Sequence, residues 1–216
     1  MLLSGKRVYQ TWKDDNVRNL FEKAYGATVS YDPYDDHDLA VFTGGADICS
    51  FLYGEEPHPR TNAWYERDLQ ELKALQDIKF GTPTIGICRG AQFLNVRAGG
   101  SMVQHVNNHM GNNHDATDMR TGKVYNINSI HHQMMIPPEH SIRLLNAGVA
   151  TEKYVNGKQI TVKEVGLKSL MDPECIFIPG HNYLCFQGHP EYASRKSDTA
   201  EVFDGYVEEF ILPLLK

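Results

Sequence analysis

Long apolar runs are missing from this chain of 216 residues. No stretch approaches the ~18–20 consecutive apolar residues that cross a bilayer as a helix, so no membrane partner is expected. Positive charge is also scarce: 21 Lys and Arg stand against 27 Asp and Glu, a formal net charge of −6. A chain without a basic face has little to offer a phosphate backbone, and nucleic-acid binding is not expected. There are only four cysteines, Cys49, Cys88, Cys175 and Cys185, and no two are spaced as CxxC. That spacing argues against a zinc knuckle or a thioredoxin-type redox pair, and a chain of this size does not need a disulfide scaffold. The opening MLLSGKRVYQ lacks the apolar core and cleavage site of a secretory signal, so a cytoplasmic location is expected. Internal repeats and low-complexity tracts are absent as well.

Hydrophobic residues make up 41% of the chain and charged residues 22%, the balance of a globular protein. One domain spanning 1–216 is expected. KRVYQ (6–10), TVSY (28–31), LAVFT (39–43) and PTIGI (83–87) read as strands. Val17, Leu20, Phe21 and Ala24 recur at helical spacing over 14–25, and Gly26 sits where a helix-terminating glycine belongs. A second helix is expected over 62–77, with Asn62 as N-cap and Tyr65, Leu69, Leu72 and Leu75 inward. Strands alternating with helices in this way predict an α/β fold, a single doubly wound, flavodoxin-like domain whose mixed, mostly parallel central sheet is flanked by helices. In the second half, 107–118 reads as a polar loop. KVYNI, ITVKEV, CIFI and YLCFQ read as strands, partly antiparallel. Residues 196–215 read as an amphipathic helix with Phe203, Tyr206, Val207, Phe210, Ile211 and Leu214 on its core face.

The chemistry is concentrated in three segments. PTIGICRGAQFLN runs a buried strand into Cys88, with Gly86 two residues before it and Gly90 two after. This Gly-x-Cys-x-Gly pattern is the cysteine form of a nucleophile elbow, in which small neighbours let the backbone turn sharply into a helix. The turn sets the sulfur at a helix N-terminus, where the dipole and free N–H groups favour thiolate. CFQGHPEY supplies His189 and Glu191, one to exchange protons with Cys88 and one to orient the imidazole. FTGGAD places Gly44 and Gly45 at the carboxyl end of a strand, where ligands sit in doubly wound sheets. The N–H groups of Gly45 and Arg89 would form an oxyanion hole.

These segments, in this order, resemble the class I glutamine amidotransferase-like superfamily. They are most similar to its γ-glutamyl-γ-aminobutyrate hydrolase branch, the peptidases that include γ-glutamyl hydrolases. GGADICSFLYGEEP, ERDLQELKAL, GICRGAQFLNVRAGGSMVQHV and NSIHHQ carry the resemblance, over roughly residues 40–135 and 175–195. The branch usually has a proline near Ser50 and an aromatic residue before the histidine of the His-Pro-Glu string. This chain has no such proline and has Gly188 in place of the aromatic, and GHPEY is also similar to homoserine O-acyltransferases. The resemblance implies hydrolysis of the γ-amide of glutamine or of a γ-glutamyl amine through a thioester on Cys88. It also implies that Gly44, Gln92, Ser129, His131 and His132 hold the substrate.

No cofactor or metal is expected. His105, His109, His114 and Asp115 lie near one another in sequence, but no spacing matches a compact tetrahedral site, and the surrounding Asn and Gly suggest a solvated loop. Glu55, Glu56 and the DPYDDHD turn suggest an acidic pocket entrance that favours cationic or neutral leaving amines. No Walker-type GxxxxGK[ST] is present, so an ATP-dependent synthetase activity would have to come from another chain. The partners expected are therefore glutamine or a small γ-glutamyl substrate, with a synthetase partner chain and a homodimer left open. A glutaminase subunit feeding ammonia to that synthetase is one alternative. A catalytically silent binding protein on the same fold is the other.

Overall fold

A computed structural model describes residues 1–111, 113–161 and 172–215. In the first half, β1 (Arg7–Gln10), α1 (Asp15–Asn19), β2 (Thr28–Ser30), β3 (Leu39–Phe42), α2 (Tyr65–Asp77), β4 (Thr84–Ile87) and α3 (Arg89–Arg97) succeed one another. The second half is mostly strand: β5 (Ser101–Val103), β6 (His105–Val106), β7 (His114–Asp118), β8 (Val124–Ile127), β9 (Met134–Ile136), β10 (Ile142–Ala147), β11 (Glu152–Val155), β12 (Lys158–Thr161), β13 (Asp172–Ile178) and β14 (Tyr183–Phe186). α4 (Asp198–Tyr206) follows, and its helical course continues to Leu214 through a π-turn and a 3₁₀ turn.

Among the described residues one sheet has the order β2-β1-β3-β4-β14-β13-β10-β7-β8. The first five strands are parallel and the remaining pairings antiparallel. The doubly wound reading follows from side-chain alternation. Leu39 and Val41 of β3 face one core with Val17 of α1, Phe21 just after it, and Val202, Phe203 and Tyr206 of α4. Ala40 and Phe42 face a second core with Ala74 of α2 and Ala91, Phe93 and Leu94 of α3. A strand with apolar residues on both faces needs cover on both, which is why β3, β4, β13 and β14 are buried along their whole length. Each large side chain so buried contributes about 1.5–3 kcal/mol.

Helix α1 starts as expected, with Asp14 Oδ1 accepting from the N–H groups of Asn16 and Val17, and Gly26 ends its continuation at φ 79°. The second helix departs from expectation. It begins at Tyr65, and Asn62 caps nothing but gives its N–H to Asp47. Tyr65 and Leu69 are exposed and Leu72 and Leu75 only partly buried, whereas Arg67, Asp68, Glu71 and Ala74 point inward. The reason is a charged partner that the helix pattern cannot show, the buried Arg89 of α3, which bonds both Asp68 and Glu71.

The expected polar loop over 107–118 is also corrected. Its end is strand β7, and His109 and His114 are buried rather than solvated. The expected strand ITVKEV is β12 as far as Thr161, and its remainder lies outside the described residues. Among the described residues no helix is long and apolar enough to cross a membrane.

Candidate active site

Strand β4 ends at Ile87, Cys88 follows it, and α3 begins at Arg89. Cys88 takes φ 49°, ψ −107°, outside the broad regions open to a non-glycine residue. The flanking glycines are steric necessities. A Cβ on Gly86 would lie 2.5 Å from the Ala91 nitrogen, and one on Gly90 would lie 2.1 Å from the Phe42 carbonyl oxygen. The elbow is therefore locked against both its own helix and strand β3. Cys88 is only 7% exposed, and it occupies the N-cap of α3, where N–H groups have no intrahelical acceptor.

His189 follows β14, the parallel neighbour of β4, so the two strands end side by side and pairing brings it to the elbow. The carbonyl of Phe186 accepts the Cys88 N–H at 2.8 Å, which ties the two strand ends together. A Cβ built on Gly44 would be 3.1 Å from the His189 ring and 3.8 Å from Cys88 Cβ, so this glycine admits both side chains to one point. His189 Nδ1 lies 2.6 Å from Glu191 Oε1, and both side chains are buried. Burial opposes the positive charge of His189, but the adjoining Cys88 and the Glu191 carboxylate outweigh it and push the imidazolium up to about 10.

A cavity of about 200 Å³ opens beside the elbow, lined by Gly45, Asp47, Cys88, Gln92, His131, His132 and Gln133 among others. Of the residues named from sequence, Cys88, Gly45, Gln92, His131 and His132 thus meet at one place. The Gln92 amide nitrogen is already used within the protein, donating to the Gln133 carbonyl at 3.1 Å and to Gln187 Oε1 at 3.3 Å. His132 Nε2 is 3.1 Å from Asp47 Oδ2. Ser129 is buried off the lining, and its hydroxyl has no hydrogen-bond partner among the described residues. The Arg89 side chain points away into a buried network with Asp68, Glu71 and Arg67, and Arg67 also donates to the Thr43 carbonyl at 3.1 Å. This network underlies the Gly44–Gly45 turn, and a Cβ on Gly45, at φ 150°, would strike Arg67 Nη1 at 2.0 Å.

Several contributors escaped the sequence reading. Asn128 accepts the His189 N–H through Oδ1 and donates to the His189 carbonyl through Nδ2. Tyr192 stacks on the His189 ring at 5.1 Å. Gly188 is explained by the same neighbourhood, since a Cβ there would meet Phe186 at 2.9 Å and Asn128 at 3.2 Å. Of the expected acidic entrance, Glu55 is turned onto Gln104 and Ser101, and Asp47 is an acid among the cavity's lining residues.

In a comparison with known proteins, the Peptidase C26 family matches residues 34–166, more than half of the sequence. The chain belongs to the Peptidase C26 family. It lies within the class I glutamine amidotransferase-like superfamily. A glutamine amidotransferase-like protein of Lactococcus lactis subsp. cremoris, the YvdE homolog, is 42% identical over 71 residues, 32% of this chain and 38% of that protein. The carbamoyl phosphate synthase small chain of Polynucleobacter necessarius is 32% identical over 137 residues, 62% of this chain and 30% of that protein. The chain thus spans less than two fifths of the length of these relatives. The structure of PurLQS from Thermotoga maritima superposes with a TM-score of 0.56 at 18% identity, covering 94% of this chain and 97% of that one. At that identity the likeness speaks to the fold.

Proposed function

We propose that the protein hydrolyses the γ-amide of glutamine or of a γ-glutamyl amine, with Cys88 as nucleophile, His189 as proton carrier and Glu191 as the group that orients it. The observation that carries this reading is the strained Cys88 at the start of α3, with the buried His189–Glu191 pair beside it. In the proposed sequence the Cys88 thiolate attacks the γ-carbonyl carbon. The N–H groups of Gly45 and Arg89 hold the oxyanion. The His189 imidazolium gives its proton to the departing amine, leaving a γ-glutamyl thioester. The same histidine, now neutral, takes a proton from water as the water attacks, and glutamate leaves. The substrate's glutamyl half would occupy the cavity lined by Gln92, His131 and His132, with Gly44 and Ser129 beside it.

The test is release of glutamate together with ammonia or amine from glutamine and a panel of γ-glutamyl amines, using the pure chain and its Cys88→Ala variant. Turnover by the chain and none by the variant supports the reading. Equal background from both overturns it. A second reading draws on the relative named carbamoyl phosphate synthase small chain: the protein is a glutaminase subunit for a separate synthetase. It predicts thioester formation on Cys88 with negligible turnover of the chain alone.

A further inference from the structure

Behind the cavity wall formed by His131 lies a buried polar cluster, of which only His131 enters the proposed chemistry. It gathers His109, His114 at the start of β7, His131, and Asp172 and Glu174 of β13, all buried. We propose that His109 Nδ1, His131 Nε2 and a carboxylate oxygen of Glu174 bind a divalent metal ion of the zinc class.

The argument is a count of hydrogens. His131 Nδ1 lies 2.9 Å from the Gln133 carbonyl oxygen, an acceptor only, so this nitrogen carries the hydrogen. The ring's other nitrogen, Nε2, faces Glu174 Oε2 at 3.3 Å. His109 repeats the pattern. Its Nε2 is 3.1 Å from Asp172 Oδ2, and its Nδ1 is 3.2 Å from Glu174 Oε1. That Nδ1 makes no aligned hydrogen bond among the described residues.

Each ring therefore turns both nitrogens toward oxygen. A neutral imidazole has one hydrogen, so in each ring one lone pair would face a carboxylate. Protonating both rings fully would place two buried cations 4.7 Å apart, centroid to centroid, with Glu174 shared between them and Asp172 reaching only His109. A dication at the junction satisfies both lone pairs and the carboxylate together.

The surroundings have the form of a ligand set. Histidines that bind metals usually give the other ring N–H to a carboxylate or a backbone carbonyl, which fixes the tautomer. Asp172 does this for His109 and the Gln133 carbonyl for His131. Asp172 is itself fixed by the N–H groups of Val149 and Ala150 at 3.0 and 2.9 Å and by Lys153 at 2.6 Å. His114 Nε2 holds Glu174 Oε1 at 3.1 Å. The three donor atoms lie within 4.8 Å of one another. Glu174 reaches the two rings through different oxygens, Oε1 to His109 Nδ1 at 3.2 Å and Oε2 to His131 Nε2 at 3.3 Å, each near the ~3.3 Å separation of two ligand atoms on a tetrahedron with ~2.0 Å bonds. Imidazole with carboxylate suits zinc and its neighbours. His131 also lines the cavity, which places the cluster directly behind the pocket wall.

The test uses the Cys88→Ser chain, which removes thiolate as a competing ligand, so its outcome is independent of the proposed hydrolysis. The chain is freed of metal with a chelator, dialysed against micromolar zinc and assayed for bound metal. Cobalt(II) serves as the spectroscopic probe. We expect one zinc per chain, a raised Tm, and visible cobalt bands of a nitrogen–oxygen site. His109→Gln and Glu174→Gln should each weaken zinc binding about tenfold or more, while His58→Gln, in the separate and more exposed cluster with His105 and His132, should leave it unchanged. Should both cluster variants fail to fold, the stoichiometry and cobalt spectrum of the Cys88→Ser chain decide. No stoichiometric zinc in that chain, or binding that survives in a folded His109→Gln or Glu174→Gln variant, overturns the proposal; a proton shared within the cluster then satisfies the count.

Discussion

Asn128 holds His189 by its backbone on both sides. Its Oδ1 accepts the His189 N–H and its Nδ2 donates to the His189 carbonyl, each at 2.8 Å. The side chain that faces Cys88 is thus aimed by an amide from the NSIHHQ segment, 61 residues away in sequence. Two neutral hydrogen bonds contribute about 1–3 kcal/mol together. Asn128→Ala is therefore expected to lower kcat about 5- to 150-fold, with KM less affected, because the amide positions a proton carrier and does not touch substrate. Steady-state kinetics on the best substrate of the panel check this, and an unchanged kcat would remove Asn128 from the positioning role.

Thiol reactivity should single out Cys88. Burial, with Asp68 adding to it, pushes the Cys49 thiol up to about 12. Burial pushes Cys175 and Cys185 up as well. Iodoacetamide at low molar excess, followed by peptide mapping, is expected to place the label on Cys88. Preferential labelling of Cys49 would contradict the elbow assignment.

Charge neutrality beneath the elbow can be tested by Glu71→Gln. Glu71 faces both Arg67 and Arg89 and is fully buried. Removing its charge leaves an uncompensated buried guanidinium, at a cost of about 3–5 kcal/mol. Urea unfolding monitored by circular dichroism should show an unfolding free energy lower by that amount. A loss below about 1 kcal/mol would mean that water reaches the network.

The pH dependence of stability follows from His189. Its folded-state pKa, about 10, lies above the ordinary value of 6.5. A group that holds its proton more tightly when folded adds stability that is fully present below the unfolded pKa and is lost as pH rises through the folded one. Tm is expected to fall between about pH 6.5 and 10. Glu191→Gln removes one of the charges that raise the His189 pKa, so its decline should begin at lower pH. Parallel profiles for the two proteins would show that Glu191 does not hold the imidazolium.

How much of this was legible in the sequence depends on distance along the chain. The elbow was legible because its cause is local. Gly86 and Gly90 flank Cys88 by two residues on each side, and the clashes a Cβ would make there arise within one strand–helix turn and its neighbouring strand. The doubly wound sheet was legible because continuous apolar strands such as LAVF and TIGI require cover on both faces. Helix α2 was misread because apolar periodicity assumes an apolar core, and its inward face instead answers Arg89 with Asp68 and Glu71.

The clustering of His109, His131 and Glu174 was decided by tertiary structure alone. Glu174 lies on β13, His109 just before β7 and His131 in the connection after β8, and the strand order β13-β10-β7-β8 brings these distant segments to one place. A sequence specifies which side chains bear charge or lone pairs, and local sterics set the turns. Whether a polar group is buried, and what it faces there, depends on which strands become neighbours. Burying an unpartnered polar group costs several kcal/mol, so the partner that crosses the sheet, rather than the adjacent residue, fixes where such a group comes to rest.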